Sequence, residues 1–297
     1  MKRLWMICLL LPLKLIAQDQ FHVMIFGGLA NYQGDLRYKK VSLDQSREAF
    51  GIAAKYDLSA HLAIRAGFNF AEIQADDKQN IPSLQYRNLN FQTKIEEGNL
   101  LLEYSFLDLE KTKFSPYVFA GVAIYHFNPY SFDTLGNKVY LQPLGTEGEG
   151  LPQYPDRKMY QLTQFNFPFG AGIRFKVSEG ISVGYEFAFH KLFTDYLDDV
   201  SKTYVDKQVL LQARGPLAVE MAYRTGELKG GNPNYPADGT QRGNAGKYDW
   251  YYFHGITVTI AIHRGNNFTG NHESNWRKSM SCPRPREDPA FGEAKSP

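Results

Sequence analysis

From Ile181 to His190 apolar and polar positions alternate without a break: Ile181, Val183, Tyr185, Phe187 and Phe189 share one face, and Ser182, Gly184, Glu186, Ala188 and His190 the other. The same period of two runs from Phe165 to Val177, with Phe165, Phe167, Phe169, Ala171, Ile173, Phe175 and Val177 opposite Asn166, Gly170, Gly172, Arg174 and Lys176. Pro168 sits on this second face, which predicts an edge or a bulge there. A third segment sets Ile256, Val258, Ile260 and Ile262 against Gly255, Thr257, Thr259 and Ala261. Weaker alternation covers Phe50–Tyr56, Leu62–Phe70 and Asn99–Phe106. Segments about 20–30 and 116–126 are apolar on both faces, which leaves their orientation open. The pattern therefore predicts eight strands of the roughly 9–11 residues that cross a bilayer.

The connections decide what kind of sheet this is. Joints after the second, fourth and sixth strands are short, at 57–60, 109–115 and 178–180. Joints after the odd strands are long, at about 31–47, 74–96, 127–161 and 191–249. Short turns on one rim and long loops on the other are the signature of an outer-membrane barrel. The expected fold is an all-β, eight-stranded antiparallel up-and-down transmembrane barrel, spanning 18–264, with long extracellular loops. A barrel of eight strands is just wide enough for side chains to fill. Lys55, Arg65, Glu103, Arg174, Lys176 and Glu186 face that lumen and are expected to pair with one another, because buried charge is tolerated only when paired.

Composition narrows the ends. Residues 1–17 read as a secretory signal, with Lys2 and Arg3 before the apolar Leu4–Leu11 run and cleavage after Ala17. Loss of Lys2, Arg3 and Lys14 from the 33 basic residues leaves 30 against 31 acidic ones, so no global positive field argues for nucleic acid. Residues 265–297 are basic and proline-rich, without periodicity, and are expected to form a flexible periplasmic tail. That tail carries Cys282, the single thiol left once Cys8 departs with the signal. It is either free or bonded to another chain.

Chemical motifs are few. Nucleotide-binding glycine loops, zinc-binding helix pairs and hydrolase elbows are missing from the sequence. Asp195, Asp198, Asp199 and Asp206 form an acidic cluster without the ligand spacing of a calcium loop, which favours a solvated loop or helix caps from Asp198 and Asp199. His190, Asp195 and Ser201 contain the residue types of a hydrolytic triad, but no spacing rule selects them. Tyr248, Trp250, Tyr251, Tyr252 and Phe253 read as an interfacial aromatic girdle. No catalytic residue, metal ligand or cofactor is assigned.

Three strings carry a family resemblance. They are Asn31-Tyr32-Gln33-Gly34-Asp35-Leu36, then Thr194-Asp195-Tyr196-Leu197-Asp198-Asp199, and then Arg242-Gly243-Asn244 followed by Lys247-Tyr248-Asp249-Trp250. In these the chain resembles the PorG-type outer-membrane proteins of the type IX secretion system. The resemblance implies a non-enzymatic outer-membrane barrel, integral after signal cleavage, that anchors the periplasmic ring of the secretion machine. The implied partners are the ring lipoprotein and its companion subunit, together with outer-membrane lipid. Arg277, Lys278, Arg284 and Arg286 of the tail would then meet acidic partner surface. Cys282 would either form a disulfide to the lipoprotein or remain an unpaired tail cysteine. The competing reading is a small OmpA-like surface barrel that binds an external ligand or serves as a structural outer-membrane protein.

Overall fold

The computed structural model describes residues 21–39 and 41–262. The signal assigned to 1–17 and the tail with Arg277, Lys278, Cys282, Arg284 and Arg286 lie outside those residues. Ten strands follow in chain order: β1 (Phe21–Gln33), β2 (Arg47–Asp57), β3 (Leu62–Asp76), β4 (Asn90–Ser105), β5 (Phe114–His126), β6 (Tyr130–Phe132), β7 (Lys138–Tyr140), β8 (Thr163–Ser178), β9 (Ile181–Leu192) and β10 (Trp250–Ala261). Eight of them close an antiparallel barrel in the order β1-β2-β3-β4-β5-β8-β9-β10, with β10 returning to β1. The β6–β7 hairpin hangs from β4 through Gln92 and Tyr130. Stepping across partners from Tyr252 leads through Phe189, Phe169, Ala120, Leu102, Ile64, Tyr56 and Phe21 to Ile262, a stagger of ten residues on the return. A stagger of that size tilts the strands by roughly 40° to the axis.

The lower part of the wall is apolar outside and polar inside. Phe50, Ile52, Ile64, Phe68, Leu100, Leu102, Val122, Phe165, Phe175, Tyr185 and Ile256 are all exposed on the outer face. Inward lie Lys55, Arg65, Glu103, Arg174 and Glu186, each buried. The two strands that alternation left open also take sides. β5 turns Tyr117, Phe119, Ala123 and Tyr125 inward and Val118, Val122 and Ile124 outward; β1 buries Met24, Phe26, Ala30 and Tyr32. Among the described residues no helix is long and apolar enough to cross a membrane; the strands are the candidates for crossing.

Three details differ from the sequence reading. Pro168 is at neither an edge nor a bulge. It pairs with His190 on β9, and only its ladder to β5 is interrupted, since proline has no amide hydrogen to donate. β3 runs to Asp76 and β4 starts at Asn90, so the expected second loop shrinks to residues 77–89 and both of its ends are sheet. The fourth long connection holds two helices, α1 (Lys207–Arg214) and α2 (Pro216–Ala222). Asp206 caps α1 by accepting from the amides of Gln208 and Val209, and Pro216 starts α2 where a missing donor costs nothing.

Above the belt the polarity inverts. On β3 and β4, Ile73, Ala75, Phe91 and Ile95 point inward and are buried, while Glu72, Gln74, Lys94 and Glu96 face outward. These strand ends, the β6–β7 hairpin and the long connections form a crown whose apolar core, including Leu36, Leu89, Phe127, Leu141, Leu197 and Val200, continues into the lumen through Phe26, Leu101 and Phe119. A smaller cluster of Val205, Leu210, Ala218 and Ala222 sits under the helices.

Candidate functional site

Two polar clusters are stacked along the barrel axis. The lower one joins five of the six lumen residues expected from sequence. Arg174 grips Glu103 with two nitrogens, at 3.0 and 3.1 Å. Arg65 bridges Glu103 at 3.2 Å and Glu186 at 2.8 Å. Lys55 adds a third cation to Glu103 at 3.0 Å and reaches Asp57 at 3.2 Å. Lys176 departs from that expectation and pairs at the turn with Glu179, because β8 ends beside it. Tyr117 donates to Glu186 at 3.0 Å, and the Arg174 guanidinium lies over its ring at 4.4 Å. Gly172 makes this possible, since a methyl group there would collide with the Tyr117 ring. Above this layer a cavity of about 30 Å³, room for about one water, touches Arg65, Asn69, Asn99, Glu186 and His190.

His190 and Glu97 mark the transition to the crown. His190 Nδ1 lies 2.8 Å from Glu97 Oε2, and its ring stacks on Tyr251 at 4.4 Å. Glu97 also accepts from Tyr251, Asn166 and Asn69. The residue types of a triad are not all brought together: the alternation of β9 turns His190 into the lumen against Glu97, while Ser201 lies in the crown, its side chain beside Asp195 and its amide donating to Glu147.

The upper cluster gathers the residues of the three strings. The Tyr32 hydroxyl lies 2.5 Å from Asp198 Oδ2 and 2.9 Å from Asp249 Oδ1. A phenol carries a single proton, so one of these acids must itself hold a proton for both contacts to be hydrogen bonds. Asp249 also accepts from the Leu197 amide, and Asp198 from the Leu36 and Val200 amides. Gly34 is required here: a methyl group would strike both Asp249 and the Tyr32 hydroxyl. Asp35 accepts from the Asn244 amide at 2.7 Å. Asp199 adopts a left-handed φ of 65° and takes hydrogen bonds from Thr146 and Tyr160. Arg242 donates to Glu147 at 3.0 Å and to the Asp199 carbonyl at 2.6 Å. Tyr196 stacks on Tyr160 at 5.0 Å. Asn31 stands apart on the outer side of β1, where it accepts from Ser46.

Carboxylates outnumber cations in the crown. Asp35, Asp77, Glu147, Glu149, Asp195, Asp198, Asp199 and Asp249 face Arg87 and Arg242. Burial pushes Asp35 and Asp199 up to about 6, and burial plus the neighbouring acids push Glu149 to about 8 and Asp195 to about 9. Asp198 and Asp249 are likewise held well above the ordinary carboxylate range, first by burial and then by nearby acids. The acidic loop is thus not solvated, and neither Asp198 nor Asp199 caps a helix; that role belongs to Asp206 alone among the four. Among the described residues no three His, Cys, Asp or Glu side chains converge as a metal-holding group.

Sequence reading missed Asp77, Arg87, Glu147, Glu149 and Tyr160. Arg87 donates to Asp77, to the Asp35 carbonyl and to the Arg242 carbonyl, tying three connections together. A signal was available in Gly145-Thr146-Glu147-Gly148-Glu149-Gly150, where alternating glycines mark the tight turns that bury both glutamates. The aromatic stretch is also only partly interfacial. Tyr251 and Phe253 point into the barrel, and Tyr252 is covered by Phe187, Phe189 and Ser42.

A family model described as a domain of unknown function, DUF6089, matches residues 2–143, which reach from before β1 to just past the β6–β7 hairpin. No curated protein matches the chain. Similar solved structures include Neisserial surface protein A, with 10% identity over 82% of this chain and 97% of that one, at a TM-score of 0.39. The attachment invasion locus protein Ail of Yersinia pestis has 9% identity over 83% of this chain and 100% of that one, at a TM-score of 0.39. The outer membrane protein OprG of Pseudomonas aeruginosa has 12% identity over 82% and 97%, at a TM-score of 0.34.

Proposed function

We propose that this chain is a non-enzymatic barrel of the outer membrane that anchors the periplasmic ring of the type IX protein secretion machine. The reading rests on one observation: the lumen is occupied by paired side chains, and the crown above it is packed. Such a barrel has retention in lipid and a rigid frame to offer, not a conduit. The apolar belt supports an integral location, with the short turns toward the periplasm and the crown outside. In this reading the turns and the basic tail, with Arg277, Lys278, Arg284 and Arg286, meet the ring lipoprotein and its companion subunit, and Cys282 is a candidate for a disulfide between chains. The three family strings contribute differently: their side chains are mostly buried within the crown, so they build that structure rather than form a contact surface.

Crosslinking in intact cells, followed by co-purification and mass spectrometry, tests the proposal. Recovery of the ring lipoprotein and its companion is expected, together with loss of secretion on gene deletion. Intact secretion with neither subunit recovered overturns anchoring. The second reading then takes its place, an OmpA-like surface barrel, which the packed crown favours as a preformed platform for an external ligand. A non-reducing gel band unchanged by Cys282→Ser would remove the disulfide from the scheme.

A further inference from the structure

The connection between β1 and β2 is fastened to the outside of the barrel at the top of the apolar belt. Ser42 does this with both backbone groups: its amide donates to the Tyr252 hydroxyl at 2.8 Å, and its carbonyl accepts from the same hydroxyl at 2.6 Å. Ser46 adds a second tie, donating to Asn31 on the outer side of β1 at 2.7 Å. Tyr252 projects from the outer face of β10 beside Phe187 and Phe189, so Ser42 is held at the belt's upper edge. On either side of Ser42 stand Val41 and Leu43, which are 57% and 58% exposed. Two apolar side chains bared at that level have no role in the fold below them.

Exposed lysines lie on β9 and on the connections that leave β1 and enter β10. Lys191 is exposed on β9, with its ammonium 5.9 Å from the Trp250 ring. Lys247 lies 4.9 Å over the Tyr38 ring, and Lys39 is exposed between that ring and Val41. The acid nearest in sequence is Asp44, which Arg37 pairs at 3.0 Å. The arc formed by β2, β3 and β4 differs: it carries Glu48, Glu72 and Glu96 outward beside Lys94, with Arg47 facing Glu72. Net positive charge at the rim is therefore greater on the β9–β10–β1 side. Lysines interleaved with Tyr38, Trp250 and Tyr248 above apolar tips match a lipid with a phosphorylated headgroup, since ammonium groups meet phosphate while side chains below meet acyl chain.

We infer that this arc is a binding site for an anionic lipid of the surrounding leaflet, with Lys39, Lys191 and Lys247 facing its phosphate and Val41 and Leu43 its acyl chains. The inference rests on the membrane-embedded reading. The test reconstitutes the full chain into phosphatidylcholine vesicles containing one-fifth phosphatidylglycerol, with native mass spectrometry of the lipid that stays on the released barrel. The ratio of phosphatidylglycerol to phosphatidylcholine retained should exceed the ratio in the vesicle by about tenfold, because lysines near the surface attract anionic headgroups. That preference should disappear in K39Q/K191Q/K247Q, and in the unaltered protein at about 1 M salt, where the screening length falls to roughly 3 Å. The salt arm needs no variant, so it decides the matter even if the triple variant fails to fold. V41S/L43S should retain the preference but lose lipid faster. Equal retention of the two lipids by an inserted barrel overturns the site, as does displacement of the lipid by millimolar inorganic phosphate. A chain that never enters vesicles overturns the embedded reading instead.

Discussion

The belt and the crown are made from the same strands, yet they obey opposite rules. Along β3 the even positions face outward throughout: Ile64, Phe68 and Phe70 in the belt, then Glu72 and Gln74 in the crown. The odd positions do the reverse, from Arg65 and Asn69 to Ile73 and Ala75. Neither register nor pairing changes between them. What changes is the medium outside. Hydrocarbon forces the polar groups inward, where they must satisfy one another, whereas water lets an ordinary apolar core form inside. The inversion between Phe70 and Glu72 is thus a waterline written in side chains.

If that contrast is right, damage to one half should leave the other standing. The largest effect is expected in the belt. Glu103→Gln removes the charge that Lys55, Arg65 and Arg174 share, and stranding buried cations costs about 3–5 kcal/mol. Urea unfolding in detergent micelles should show this as an early loss of the barrel's heat-modifiable migration. In the crown, Arg242→Met leaves Glu147 and Asp199 without their cation, a loss on the order of 3 kcal/mol. Limited proteolysis should then cut within 141–162 and 194–249, while the barrel keeps its folded migration; cleavage within the strands would contradict two separable halves.

Acidity should distinguish the halves next. The crown acids Asp35, Asp199, Glu149 and Asp195 are raised to about 6, 6, 8 and 9. Each raised group stabilises the folded form fully below its ordinary carboxylate range and loses that contribution as pH rises through the raised value. Protection of crown amides relative to their intrinsic exchange rate should fall from about pH 5 to pH 9, and Asp195→Asn should flatten the upper part of that fall. A pH-independent crown would show that its acids are offset some other way. The smallest effect is local. Tyr252→Phe deletes the hydroxyl that holds Ser42, worth about 1 kcal/mol, and faster exchange should be confined to residues 34–46.

Sequence alone made the belt legible because lipid imposes a period of two whose polarity is plain on six of the eight strands. Pairing of Arg65, Glu103, Arg174 and Glu186 followed from lumen width. The crown was harder to read for the same reason: apolar-out alternation stops where the polarity inverts, so Gln74–Asp76 and Asn90–Glu96 looked like loop. β1 and β5 were ambiguous because their inward faces carry Phe26, Tyr117 and Phe119, large rings that fill the lumen beside the ions. The acidic cluster misled through composition. Asp198 and Asp199 resemble solvated residues until Tyr32, Tyr160 and Arg242 arrive from up to 166 residues away.

The β3–β4 ladder runs unbroken from Leu62 opposite Tyr104 to Asp76 opposite Asn90. At about 3.4 Å per residue these paired positions form a stiff mast on the order of 50 Å long. A sideways load on the crown is therefore delivered, undamped by any hinge or bulge, to the turn at Leu58–His61 on the far side of the bilayer. Mechanically, the two ends of this molecule are one lever.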